Sequence, residues 1–287
     1  MSVNDTIINK YINKFENLKI NISSSLNNNN CAIIIEPRKH DYLLGIVKNV
    51  MTKLDDKWNL HIFGSDLNEK YLKDNLQGNF IFTNLKINNL DQKIYSLLLL
   101  SQTFWNSIKE ENILIFQTDS FIVNGKYKIP QDYAFLGASY NFGKILNNSY
   151  LDVVAPPNYK YNINGGFSFR KKSVMIECIQ KVSNEDILQF RLKHKLNIDN
   201  FQNNFILQED VFFNHALLIL NYKLPTLEIC NTFCSQQNKD FNSFGIHGFN
   251  QEYNHFTKEQ LEKFCKIESE KKVQFEKKKK NKNLIII

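Results

Sequence analysis

With 287 residues, 43% of them hydrophobic and 13% aromatic, the chain has material for one large or two small cores, which excludes a mainly disordered protein. The formal charge of +7 is lopsided: Lys258–Ile287 holds 10 Lys against 5 Glu, and the rest is close to neutral with 26 basic and 24 acidic side chains. Arg, the usual donor for bidentate phosphate and base-edge contacts, occurs only at 38, 170 and 191, so no specific nucleic-acid surface is expected.

Ile7, Ile8, Tyr11, Ile12, Phe15 and Leu18 recur at helical spacing, which predicts an N-terminal helix before the polar tract Asn27–Asn30. Cys31–Glu36 is a short apolar run of the kind that forms a buried strand, followed by a helix over Tyr42–Leu54. Trp58–Phe63 and Phe80–Thr83 read as further strands, separated by a short helix at Asn68–Leu76. A longer helix around Gln92–Ile108 then leads to the strand Asn112–Phe116, which runs straight into Gln117-Thr118-Asp119-Ser120. This β-α-β-α order predicts an α/β fold with a mostly parallel central sheet and helices on both faces.

Strands are expected at Tyr133–Ala138 and Gly165–Arg170, the second opened by two glycines. Helices follow at Lys171–Val182, Glu185–Leu196 and Glu209–Leu220, with Leu224–Ile229 returning to the sheet. Phe244–Phe249 reads as a loop rich in Gly and aromatics, and a charged helix begins at Lys258. The expected division is residues 1–30 as N-terminal helix and Asn-rich loop, 31–257 as the central domain, and 258–287 as a Lys-rich appendage. The run Lys277–Lys280 is suited to weak, salt-sensitive contact with anionic surfaces, or to being a solvated helix end. Met1–Asp5 lacks signal-peptide order, no apolar run approaches the ~18 residues of a membrane span, and five scattered Cys (31, 178, 230, 234, 265) read as reduced thiols. These features fit a cytoplasmic protein.

Open parallel sheets bind ligands beyond the carboxyl ends of their strands. Three such places carry polar residues: Glu36-Pro37-Arg38, Asp119, and Asn164-Gly165-Gly166. Each also has a plain structural reading, namely a local ion pair, a turn residue and a tight turn. Together they suggest a nucleotide-diphosphate site.

I-I-E-P-R at 34–38, I-F-Q-T-D-S at 115–120, F-L-G-A at 135–138, N-G-G-F-S-F-R at 164–170, Q-E-D-V-F-F at 208–213 and G-I-H at 245–247 occur in this order. The set resembles a family of glycosyltransferase-like proteins labelled a domain of unknown function, with members in bacteria, fungi and large DNA viruses. The resemblance runs from about Cys31 to Gly248. It implies a GT-A nucleotide-sugar fold for 31–257, and a host-cytoplasmic location if the protein is viral.

The resemblance also implies roles. Asp119 takes the position of the acidic metal motif, here Thr118-Asp119-Ser120 with a single carboxylate, and His247 that of the late histidine; the implied cofactor is Mn²⁺ or Mg²⁺. Glu36, Pro37 and Arg38 would line the nucleoside end of a donor site, UDP-sugar being favoured. Thr118, Asn164, Gly165, Gly166 and Ser168 would face the donor, with Arg170 behind. Glu209 and Asp210 match an acidic pair beside the acceptor, a glycan or protein hydroxyl, and Asp210 is the preferred base. The expected activity is sugar transfer, a hexosyltransferase-like reaction. The alternative is a non-catalytic domain of the same fold that binds a nucleotide-sugar or a partner. A phosphohydrolase would need further carboxylates that the sequence does not offer.

Overall fold

In a computed structural model, the described residues are 3–25, 27–140, 162–196, 207–236 and 242–249, together with 257 and 259. The C-terminal helix and lysine run expected after Lys258 lie outside them.

The elements are α1 (Val3–Glu16), β1 (Asn21–Ile22), β2 (Asn30–Ile35), α2 (Leu43–Lys53), β3 (Trp58–Gly64), α3 (Asp66–Asn75), β4 (Gln77–Gly78), β5 (Ile81–Asn84), α4 (Gln92–Leu99), α5 (Gln102–Asn106), β6 (Asn112–Phe116), β7 (Ser120–Ile122), β8 (Phe135–Tyr140), β9 (Asn162–Lys171), α6 (Lys172–Lys181), α7 (Asn184–Lys193), α8 (Glu209–Ile219), α9 (Leu227–Phe233), β10 (Cys234–Ser235) and β11 (Gly245–His247). Six strands form the main sheet in the order β5-β3-β2-β6-β9-β8. A smaller sheet, β10-β11-β7, lies beside it, and β1 pairs with β4.

The sheet is mixed, which corrects the expectation of a mostly parallel one. β5, β3, β2 and β6 are parallel, but β9 runs antiparallel to both β6 and β8. β2 and β3 are buried along nearly their whole length, as their continuous apolar runs require of strands covered on both faces. α1 lays Ile8, Tyr11, Ile12 and Phe15 into the core and packs on α2. α4, α5, α6 and α8 pack among themselves, and α8 also covers β9.

Four local expectations change. The helix foreseen over Gln92–Ile108 breaks into α4 and α5 at Leu100-Ser101, because the Trp105 indole N–H donates to the Leu99 carbonyl at 2.7 Å and satisfies the end of α4. Leu224–Ile229 is not a strand: Thr226 Oγ1 accepts the Ile229 N–H and caps α9. The stretch Phe244–Phe249 contains β11, antiparallel to β7. Gly165 and Gly166 lie inside β9 rather than before it. There the pairing slips, with two steps along β8 from Gly137 to Ser139 facing five along β9 from Ser168 to Ile163.

The topology sets the site. From β2 the chain moves outward through β3 to β5, then returns to place β6 on the other side of β2. The reversal between β2 and β6 leaves a crevice at their carboxyl ends.

Candidate functional site

That crevice holds a cavity of about 530 Å³, walled by Ile35–Arg38 and His40 after β2, Gln117–Asp119 after β6, and Leu90, Gln92 and Tyr95 at α4. Each wall is fixed by local hydrogen bonds. Asn68, buried in α3, donates to the Glu36 carbonyl at 2.6 Å and the Arg38 carbonyl at 3.1 Å, and Ser65 Oγ donates to the Pro37 carbonyl at 2.5 Å. Ser120 Oγ donates to the Gln117 carbonyl at 2.7 Å and accepts the Gln117 N–H at 3.0 Å, closing the turn around Asp119.

Glu36 is buried and its carboxylate is taken by Arg38: Oε1 accepts Nε–H at 2.8 Å and the Arg38 backbone N–H at 3.0 Å, and Oε2 accepts from Nη2 at 2.6 Å. The local ion-pair reading of these two residues therefore holds. The Arg38 side chain is still 52% exposed, so the guanidinium presents charge to the cavity. Its pKa is raised by the hydrogen bonds to Glu36, with Asp119 adding a smaller attraction. Burial lowers the pKa of His40 nearby.

β7 and β11 bring a distant residue to this end of β6. Ser120 pairs with His247, and the Asp119 carbonyl accepts the Gly248 N–H at 2.9 Å. Asp119 Oδ1 then lies 3.5 Å from His247 Nε2, so the two residues of the implied metal site are neighbours. His247 is buried, which lowers its pKa, while Asp119 acts in the opposite sense. Among the described residues, no cluster of three or more His, Cys, Asp and Glu side chains is placed to hold a metal.

The two glycines of β9 serve neighbouring side chains. A Cβ on Gly165 would collide with the Glu209 carboxylate and Arg170, and one on Gly166 with His247 and Gln117. Arg170 is fully buried and forms an ion pair with Glu209, Nη1 to Oε2 at 2.6 Å and Nη2 to Oε1 at 3.0 Å. Ser168 Oγ accepts from Arg170 Nε at 2.9 Å and donates to the Gly165 carbonyl at 2.8 Å. Asn164 Oδ1 accepts the Gly166 N–H at 2.8 Å. Glu209 thus faces Arg170 inside the protein.

Asp210 is placed differently. At the start of α8, its Oδ2 accepts the Gly165 N–H at 3.2 Å and Oδ1 its neighbour's, Val211, at 2.8 Å. Burial and the adjacent Glu209 charge push its carboxyl up to about 7, against the pull of Arg170 and these two N–H groups. Tyr95 joins the two regions. Its ring lines the cavity, while its buried hydroxyl lies among Glu209, Arg170, Gln117 and Asp210; burial and Glu209 raise its pKa.

A family model described as "Protein of unknown function (DUF5672)" matches residues 79–247. The chain belongs to the DUF5672 family. The matched segment runs from β5 to β11 and carries Asp119, Gly165, Gly166, Asp210 and His247, whereas Glu36-Pro37-Arg38 precedes it. No curated protein matches this DUF5672 chain. Among solved structures it is similar to the apo-form glycosyltransferase GlyE of Streptococcus pneumoniae TIGR4, at 10% identity and a TM-score of 0.43. That similarity covers 82% of this chain, which spans 60% of the GlyE chain. Among the described residues no helix is long and apolar enough to cross a membrane.

The sequence reading did not assign Tyr95, His40, Gln92 or Gln117 to the site. Gln117 stands inside the quoted F-Q-T-D-S, so its signal was present. Tyr95 is hidden in the run I-Y-S-L-L-L, where it reads as one more core residue of α4.

Proposed function

We propose that this chain is a glycosyltransferase of the GT-A type, moving a sugar from a nucleotide-sugar, a UDP-sugar in the first instance, to an acceptor hydroxyl. The observation that carries the reading is the cavity at the order reversal between β2 and β6, with Arg38 and Asp119 on its walls and Asp210 beyond Tyr95. In this reading the diphosphate lies between Arg38 and the Asp119–His247 pair, and the nucleoside end lies along Pro37 and Leu90. Asp119 Oδ1 and His247 Nε2 are an oxygen and a nitrogen donor of kinds that Mn²⁺ accepts, so the residues fit a divalent cation. When bound there, such a cation neutralises charge on the departing diphosphate.

Asp210 is the base. A carboxylate with a pKa of about 7 accepts a proton far more readily than an exposed one, yet is substantially ionised near neutrality. The acceptor oxygen bonds to the anomeric carbon, its proton passes to Asp210, and the bond to the diphosphate oxygen breaks, with inversion. The deciding experiment is nucleotide release from a panel of UDP- and GDP-sugars with Mn²⁺, with and without candidate acceptors, using Asp210→Asn as control. A second reading, a non-catalytic nucleotide-sugar-binding domain, is favoured by the single carboxylate in the Thr118-Asp119-Ser120 turn. Donor binding without acceptor-dependent release would decide for it.

A further inference from the structure

We propose that Gln117 is a metal ligand whose side-chain oxygen joins Asp119 Oδ1 and His247 Nε2 in a three-donor face for one divalent cation. This rests on the Asp119–His247 part of the reading above, and adds a residue to which the sequence pattern gave no role.

His247 Nε2 is 3.4 Å from Gln117 Oε1 and 3.5 Å from Asp119 Oδ1, while Nδ1 is 3.2 Å from Gln236 Oε1. A neutral imidazole has a single N–H. In the tautomer that donates it to Gln236 Oε1, the Nε2 lone pair faces two oxygens that carry lone pairs of their own; in the other, Nε2–H is donated to one of them. Such a convergence of lone pairs is favourable when a positive charge sits between the three atoms. Adjacent ligands of a six-coordinate cation bound at about 2.1–2.4 Å stand about 3.0–3.4 Å apart, close to the 3.4 and 3.5 Å from Nε2 to its two oxygens. In that first tautomer Gln236 holds Nδ1–H as carboxylates, backbone carbonyls and waters do for ligating histidines.

The surroundings hold this geometry. Gly166 lacks the Cβ that would strike both His247 Nε2 and Gln117 Oε1, so glycine lets these atoms lie side by side. Gln117 Oε1 is the atom of its amide that faces His247 Nε2. The backbones are tied as well: Ser120 clamps Gln117 through its hydroxyl and pairs with His247 across β7 and β11. One carboxylate, one imidazole and one amide oxygen make a weak site by themselves, open for phosphate oxygens and water, which suits Mn²⁺ or Mg²⁺.

The test titrates the full chain with Mn²⁺ and follows the free-ion electron paramagnetic resonance signal, without nucleotide or sugar. UDP-sugar affinity in EDTA is measured in parallel. The wild type is expected to take up Mn²⁺, Gln117→Ala to lose at least about tenfold in Mn²⁺ affinity, and Gln117→Glu to bind more tightly through its added charge. Gly166→Ala is expected to weaken binding by crowding two of the three donors. If Gln117→Ala misfolds, the Gln117→Glu arm decides, and a Gln117→Glu affinity at or below that of the wild type overturns the assignment. Unchanged Mn²⁺ affinity in a folded Gln117→Ala also overturns it, as does a wild type that leaves millimolar Mn²⁺ free. UDP-sugar binding in EDTA with no Mn²⁺ uptake overturns the cation face and leaves the nucleotide-sugar reading standing. Gln117-dependent Mn²⁺ uptake with no UDP-sugar binding supports the ligand assignment and removes that reading.

Discussion

Arg170 and Glu209 are clasped inside the protein by two hydrogen bonds of 2.6 and 3.0 Å, and Gly165 is the residue whose missing side chain makes room for both. The pair links the C-terminal end of β9 to the first turn of α8. It therefore fixes where Asp210, one residue further on, meets the Gly165 N–H.

Breaking this pair from one side leaves a buried, uncompensated guanidinium, a change that costs about 3–5 kcal/mol in comparable sites. Glu209→Gln is expected to lower the urea midpoint accordingly. The double substitution Arg170→Met/Glu209→Leu should recover most of the loss, because no charge is then stranded. A Glu209→Gln protein of wild-type stability contradicts the role given to the pair.

Asp210→Asn is expected to lower sugar transfer by at least about a hundredfold, the range of general-base catalysis, with donor affinity nearly unchanged. The same residue sets a pH dependence. A base must be unprotonated to act, so the wild-type rate should fall as pH drops through about 7, and Asp210→Asn should lack that limb. The stability effect has the opposite sense. Between the ordinary carboxyl pKa of 3.8 and about 7, the folded protein keeps a proton that the unfolded chain releases, so this group's contribution to stability falls as pH rises through that window. Above it the full cost is present, up to about 4 kcal/mol. Asp210→Asn should therefore be more stable than the wild type at pH 8, with the gain fading toward pH 4, as denaturant titrations at several pH values will show.

The adjacent glycines are expected to respond differently. Gly165→Ala pushes a Cβ into Glu209 and Arg170 and should act mainly on stability, costing about 1–3 kcal/mol. Gly166→Ala meets His247 and Gln117 at the edge of the site and should weaken Mn²⁺-dependent donor binding. Thermal unfolding and calorimetric titration of both variants separate the two effects.

Arg38→Ala is expected to weaken UDP-sugar affinity by about tenfold or more, since a charged hydrogen-bond donor is lost. Arg38→Lys should recover only part, because an ammonium cannot reproduce the two-pronged contact that holds Glu36. Equal affinities in all three proteins contradict the placement of the diphosphate beside Arg38.

The central strands were legible in the sequence because their burial is continuous: C-A-I-I-I and N-I-L-I-F are short apolar runs of the kind that forms covered strands, between segments with turn signals. The direction of β9 was not legible, since an apolar strand reads the same whichever way it runs, and its partners are set by chain far from it. The glycine pair was read as opening its strand, with a tight turn as the plain alternative, whereas both residues lie inside β9. What crowds it comes from Glu209 and His247, long stretches of chain away. The cap on α9 was readable, because Thr226 followed by Glu228 is a helix start, but the apolar residues around it outweighed that cue. The end of β6 was marked by its polar turn, while Tyr95 was concealed by apolar neighbours.

The late arrival of β11 has a consequence for biosynthesis. All six strands of the main sheet lie before residue 172, and Asp210 opens α8, yet His247 enters only when β11 pairs with β7. A nascent chain that has left the ribosome as far as α9 already holds every strand of the sheet and the Arg170–Glu209 pair, but not His247. Assembly of the proposed ligand site is thereby deferred to the last strand pairing in translation order among the described residues, after the main scaffold has had time to form.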